Sequence, residues 1–76
     1  MINEHECVVL TQDQPQAGLV AGDVGTVVHV HKEGQAYEVE FTTLKGETVA
    51  IIALSAGSVR PLHRRDLAHT RELASA

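Results

Sequence analysis

Residues 18–28, Gly-Leu-Val-Ala-Gly-Asp-Val-Gly-Thr-Val-Val, read as a turn that launches a strand. Gly22 and Asp23 tolerate the tight or positive-φ backbone of a turn at low steric cost. Gly25 follows near the strand start, a position without Cβ where a bulge or a close backbone approach is expected. Thr26, Val27 and Val28 are all β-branched and suit a pleated, half-buried surface. A chain with this at its centre is constrained towards β structure.

The rest of the chain extends the pattern. A short strand is predicted over 6–11, with Val8 and Leu10 on one face and Cys7 and Val9 on the other. Residues 12–18 carry Asp, Pro and Gly and form a loop that is long for a hairpin. The second strand covers Val24 to His31; alternation places Thr26, Val28 and Val30 on one face and Val27, His29 and His31 on the other. A polar turn at 32–35 leads to a third strand over 36–41, with Tyr37, Val39 and Phe41 inward and Glu38 and Glu40 outward. After a turn at 42–46, a fourth strand runs over 47–54. Ala50, Ile52 and Leu54 point inward there, which leaves Val49 and Ile51 facing out. Residues 55–57 suit one 3₁₀ turn, and a short fifth strand covers 58–62, with Pro61 at an edge or end. Residues 66–73 fit two readings: a short helix with Asp66 as N-cap, or an edge strand with Leu67, His69, Arg71 and Leu73 on one face.

At 76 residues the chain is a single domain, 1–76, with a core over 6–62 and a C-terminal extension over 63–76. Five short, closely spaced strands with Gly-rich turns point to an all-β fold, a small five-stranded SH3-like barrel with the C-terminal segment as an added strand or short helix. With one Tyr, one Phe and no Trp, the core must be built mostly from Val, Ile, Leu and Ala. No apolar run approaches the roughly 20 residues that span a bilayer, and the N-terminus lacks the pattern of a secretory signal. The single cysteine, Cys7, fits a reducing cytoplasm and offers no thiol cluster for zinc.

Around Ala21-Gly22-Asp23-Val24-Gly25-Thr26-Val27-Val28 the chain resembles the KOW-type SH3-like modules of ribosomal and transcription proteins, which open on a similar Gly-Asp-x-Gly-x-Val strand. Adding Val8-Val9-Leu10-Thr11, Ala36-Tyr37-Glu38-Val39-Glu40-Phe41 and Val59-Arg60-Pro61-Leu62, the whole pattern looks like a small bacterial family, domain of unknown function 4926, over roughly residues 7–73. The resemblance implies an SH3-like barrel, a stand-alone bacterial protein, no assigned catalytic residues, and a partner or a toxin–antitoxin arrangement. The chain departs from nucleic-acid-binding KOW modules in carrying Glu33, Glu38 and Glu40 on the hairpin and no exposed aromatic for base stacking.

Candidate chemistry is sparse. His29 and His31 share a face with Glu38 and Glu40 across the hairpin, an arrangement that reads either as a metal or pH-sensitive surface or as a solvated polar face with weak cross-strand attraction. Cys7 in a strand is expected to be a buried structural thiol. Asp13, Asp23 and Asp66 sit at loop or cap positions, and the glycines form no phosphate-binding fingerprint. No catalytic residue, metal site, cofactor or small-molecule substrate is evident. The outward Val49 and Ile51, with Val27, form an apolar stripe. Either the C-terminal segment covers it through Leu67 and Leu73, or it is a homodimer or partner surface, or it is simply exposed. The net charge is −4, yet four of six basic residues, Arg60, Arg64, Arg65 and Arg71, fall in the last 17 positions. The reading is a non-enzymatic binding module that meets a protein partner or itself through Val49, Ile51, Arg60, Arg64, Arg65 and Arg71. One form of it is an antitoxin or immunity-type protein. The alternative is a KOW-like nucleic-acid module with Arg60, Arg64, Arg65 and Lys45 on phosphates.

Overall fold

A computed structural model describes residues 2–74. Five strands form in chain order: β1 (Cys7–Leu10), β2 (Val24–His31), β3 (Ala36–Thr42), β4 (Thr48–Ser55) and β5 (Val59–Pro61). They make one antiparallel sheet in the order β4-β3-β2-β1-β5. β2, β3 and β4 are a meander, and β5 returns to pair with the far side of β1. Val8, Leu10, Val27, Tyr37, Val39, Phe41, Leu54 and Val59, one or more from every strand, join Leu19 in a single buried cluster. The described residues hold no second layer that could cover this face, so the sheet buries it by curling on itself, which is the barrel architecture that the strand pattern implies. β4 and β5 are the two edges, and no ladder joins them.

Inward alternation on β3, and on β4 from Ala50 to Leu54, is as expected: Tyr37 pairs with Leu54, Val39 with Ile52 and Phe41 with Ala50. The pairing then steps to Thr42↔Thr48, so Val49 is an extra, bulged residue that packs against the core instead of facing out with Ile51. β2 departs from strict alternation. Its pairing with β3 steps from Val27↔Val39 to His29↔Glu38, so Val28 is an extra, bulged residue. A bulge of one residue reverses the faces beyond it. Val27 and Val30 therefore both oppose inward partners, Val39 and Tyr37, while Thr26 and His29 lie on the outer face opposite Glu40 and Glu38. Val27 is fully buried, and the outer apolar stripe does not include it. The hairpin tip after β2 is a left-handed turn in which Lys32, Glu33 and Gly34 all have positive φ.

The 12–18 loop is folded in its own right. Gln14 and Leu19 exchange backbone hydrogen bonds of 2.9 and 3.1 Å around a 3₁₀ turn at Pro15–Ala17, closed by Gly18 in the left-handed region. This brings Leu19 into the core.

The C-terminal segment is neither an added strand nor a helix; residues 66–74 have no regular secondary structure. Asp66, the expected helix cap, has its carboxylate taken by a bidentate Arg60 pair (2.9 and 3.0 Å) and by the His63 N–H (2.6 Å). The segment is an ordered strap held by side-chain ion pairs.

Candidate functional site

The outer edge of β4 borders a groove. One wall is the strand itself, Val49 to Ala53, and the other is the folded loop, through Gln14, Gln16 and Ala17. Its volume is about 620 Å³. β4 has eight residues, Thr-Val-Ala-Ile-Ile-Ala-Leu-Ser, and none is charged. Among the described residues only β3 pairs with it, so the N–H and C=O groups on its far side face the groove. Ile51 is 55% exposed.

A second, smaller hollow continues from one end of the groove and is lined by Ala17, Gly18, Val49, Arg71, Leu73 and Ala74. Here the strap reaches the barrel. Arg71 donates from Nε to Asp23 Oδ1 (2.9 Å), from Nη2 to Asp23 Oδ2 (2.6 Å) and to the Gly18 carbonyl (3.3 Å). The same carboxylate accepts the Val20 N–H at 2.9 Å. The bonds from Arg71, and secondarily the one from Val20, hold the Asp23 carboxyl below its ordinary pKa, and Arg71 is raised in turn. Asp66 is lowered to about 2, first by Arg60 and then by the His63 N–H.

The expected covering of the Val49/Ile51 strand is therefore partial. Leu73, 37% exposed, lies beside Val49, whereas Leu67 is 94% exposed and covers nothing. Val49 is half-buried and Ile51 stays open.

The six candidate partner-binding residues divide into two groups. Val49, Ile51 and Arg71 gather around the β4 groove. Arg60 stands on β5, the opposite edge strand, with its guanidinium on Asp66, and Arg64 and Arg65 follow it, exposed. The groove wall at Gln14, Gln16 and Ala17 is not expected from the sequence, and Asp23, expected only as a turn residue, is also the anchor of Arg71. Pro15 and Gly18 were the available signals, and both were read only as breaks.

On the outer face His29 and His31 lie edge to face, with ring centroids 4.4 Å apart. The register pairs His29 with Glu38, but the carboxylate nearest to it is that of Glu4, at 3.6 Å from Nδ1. Among the described residues no three His, Cys, Asp or Glu side chains converge on a metal-sized site. Cys7 is exposed, contrary to the expected buried thiol. It is the first residue of β1 and stands opposite Thr26, on the outer side of the sheet. No described helix is long and apolar enough to cross a membrane.

Set beside known families, residues 4–61 match a family model described as Domain of unknown function (DUF4926). The chain belongs to this family. Comparisons with curated proteins and with solved structures returned no match. The DUF4926 match starts a little before the expected residue 7 and ends at Pro61, the last residue of β5, rather than near 73. It takes in the whole barrel, with Val49, Ile51, Arg60 and Asp23. Arg64, Arg65, Arg71 and the rest of the strap lie outside it.

Proposed function

We propose that this DUF4926 domain is a protein-binding module that takes up an extended segment of another protein along β4. The observation that carries the reading is the contrast between its two edges. An exposed edge strand is a template for pairing with another chain, and proteins that must avoid this shorten the edge or place charge or proline on it. β5 follows that rule: it has three residues, ends in Pro61 and carries the paired Arg60. β4 does not. It has eight residues, no charge and no proline, and an open Ile51 beside a groove. Strand addition supplies affinity through the backbone and specificity through alternate side chains, so it needs neither a deep pocket nor catalytic groups. The antitoxin or immunity form of this reading is one way to use such an edge. The nucleic-acid alternative draws less support, because Arg60 is already held by Asp66 and the outer face is acidic.

The test is selection of a displayed random-peptide library on the full chain, with Ile51→Lys as counter-target. Lysine at an edge position blocks strand addition while leaving an exposed site folded. Peptides that enrich on the native chain and fail on Ile51→Lys are the expected result. No enrichment, or enrichment indifferent to Ile51→Lys, refutes the reading.

A further inference from the structure

The outer face of the sheet next to β4 carries a specific charge pattern. On β3, Glu40 stands in the row of Ile51 and Glu38 in the row of Ala53. Glu40 accepts a hydrogen bond from Thr48 Oγ1 at 2.8 Å. Glu38 forms no ion pair among the described residues. Residues 1–59 as a whole hold eight Asp and Glu against two Lys. We infer that the segment added at β4 is cationic on its outer face: an extended strand with an apolar residue against Ile51 and a Lys or Arg two positions away, over Ala53, reaching Glu38. The inference rests on the proposed protein-binding role of β4 and names the chemistry of its partner.

The geometry follows from strand spacing. An added strand would lie about 4.8 Å from β4, and so about 9.6 Å from β3. A side chain on its outer face meets β4 first and β3 beyond it. In the Ile51 row the branched side chain blocks the way to Glu40, and an apolar neighbour gains most by covering it. In the Ala53 row only a methyl group intervenes. A Lys or Arg stem can lie over that methyl with its charged head on Glu38, the ordinary behaviour of long cationic side chains on apolar surface. Because side chains alternate along a strand, both contacts come from residues i and i+2 of the partner. The intervening residues turn towards Ala50, Ile52 and the uncharged wall at Gln14, Gln16 and Ala17, where a charge would find no counterpart. A second copy of this chain does not fit as well. Its own β4 would offer only Val, Ala, Ile, Leu, Ser and Thr, and no cation for Glu38.

Three capped eight-residue peptides test this, each two repeats of Thr-Val-Thr-X with X as Lys, Ser or Glu, so that one face of the strand carries Val and X at positions i and i+2. Each is titrated into the full chain at low and at 0.5 M salt while backbone amide shifts are followed. The expected result is shifts centred on β4, with affinity in the order Lys, Ser, Glu, and the Lys peptide at least about tenfold tighter than the Glu peptide at low salt. Salt and the Glu38→Gln variant, at a half-buried position, should each narrow that gap. Equal affinities at β4 would overturn the cationic partner and leave the binding module standing. Shifts nowhere on β4 would overturn both, and so would a concentration-dependent dimer with β4 amides already protected from exchange, since a second copy would then hold the edge.

Discussion

Gly25 gives the sharpest test of how this barrel is held together. It lies in β2 opposite Val8 of β1. A Cβ built there would stand 2.6 Å from Val39 Cγ1, 2.9 Å from the Glu40 carbonyl oxygen and 2.9 Å from Phe41 Cε1. Val39 and Phe41 are almost wholly buried, so neither can swing aside without disturbing its own neighbours. The Glu40 oxygen is backbone, and Glu40 is paired with Thr26. Gly25→Ala therefore requires β2 and β3 to separate by roughly 0.5 Å or more before ordinary van der Waals contact is restored. Inserting one carbon into a packed interior typically costs about 1–3 kcal/mol, and a rigid backbone neighbour places this site in the upper half of that range. Lower chain entropy in the unfolded state offsets about 0.4–1 kcal/mol, which leaves a net loss near 2 kcal/mol.

For a domain of this size, with a total stability of roughly 4–11 kcal/mol, such a loss lowers the thermal midpoint by about 8–16 °C. Gly57→Ala is the matched control. Nothing lies within 4 Å of its virtual Cβ and its φ is not positive, so the same added methyl should be neutral or slightly stabilising. Urea titrations of both variants against the native chain measure the difference directly, provided the m-values agree. If Gly25→Ala unfolds within about 0.5 kcal/mol of Gly57→Ala, the close approach of β2 to β3 is not what the glycine serves.

Two further outcomes follow from the geometry. Cys7 is exposed and its sheet position needs no opening to reach, so an aromatic disulfide reagent should modify it in the native state within about tenfold of the rate in urea; reaction only on unfolding would place the thiol inside. Asp23 and Asp66 are both more acidic folded than unfolded, so their stabilisation is complete above the unfolded carboxyl pKa of about 3.9 and is lost as the pH falls through the folded values, near 2 for Asp66. Urea midpoints should hold steady from neutral pH to about 5 and then decline towards pH 2. Asp23→Asn should shallow that decline, with a loss at pH 7 below about 1 kcal/mol because Arg71 is partly solvated; a midpoint unchanged between pH 5 and 2 would contradict the Asp–Arg account.

The strands were legible because each carries a local signal strong enough to survive its context. β3 alternates without a break, the β-branched run Thr26–Val28 marks β2, and Pro61 fixes β5 at an edge. What failed was what depends on distant partners. Strict alternation puts Val27 with His29, but the Val28 bulge, which exists only in the pairing of β2 with β3, separates them. Cys7 reads as core by residue type and is exposed by its place at the outer start of β1. Asp66 has the chemistry of a helix cap, and a guanidinium six residues back claims its carboxylate first. The groove was half visible: Ile51 stands out as an apolar residue on the outer face, whereas Val49, expected beside it, is turned to the core by a bulge that exists only in the pairing of β4 with β3, and the other wall, Gln14 to Ala17, is polar, small and unremarkable until the loop folds.

The strap and the edge can be separated physically. Among the described residues, every polar contact that ties the strap's far end to the barrel runs through Arg71, to Asp23 and the Gly18 carbonyl, and ion pairs at this level of exposure are weak and screened by salt. Asp23 also has a local task, since its carboxylate accepts the Val20 N–H and shapes the turn that launches β2. The turn therefore keeps an internal partner when Arg71 leaves. Among the described residues, Leu73 and Ala74 line the smaller hollow together with Ala17 and Val49, the two residues it shares with the groove, and Ile51 is not part of its wall. Loss of the Arg71 pair would uncover the end of the groove at Ala17 and Val49 without altering the pairing of β4 with β3. The DUF4926 match covers the edge and Asp23 and stops before Arg71. The edge on which the proposed strand addition rests thus belongs to the barrel and not to the strap.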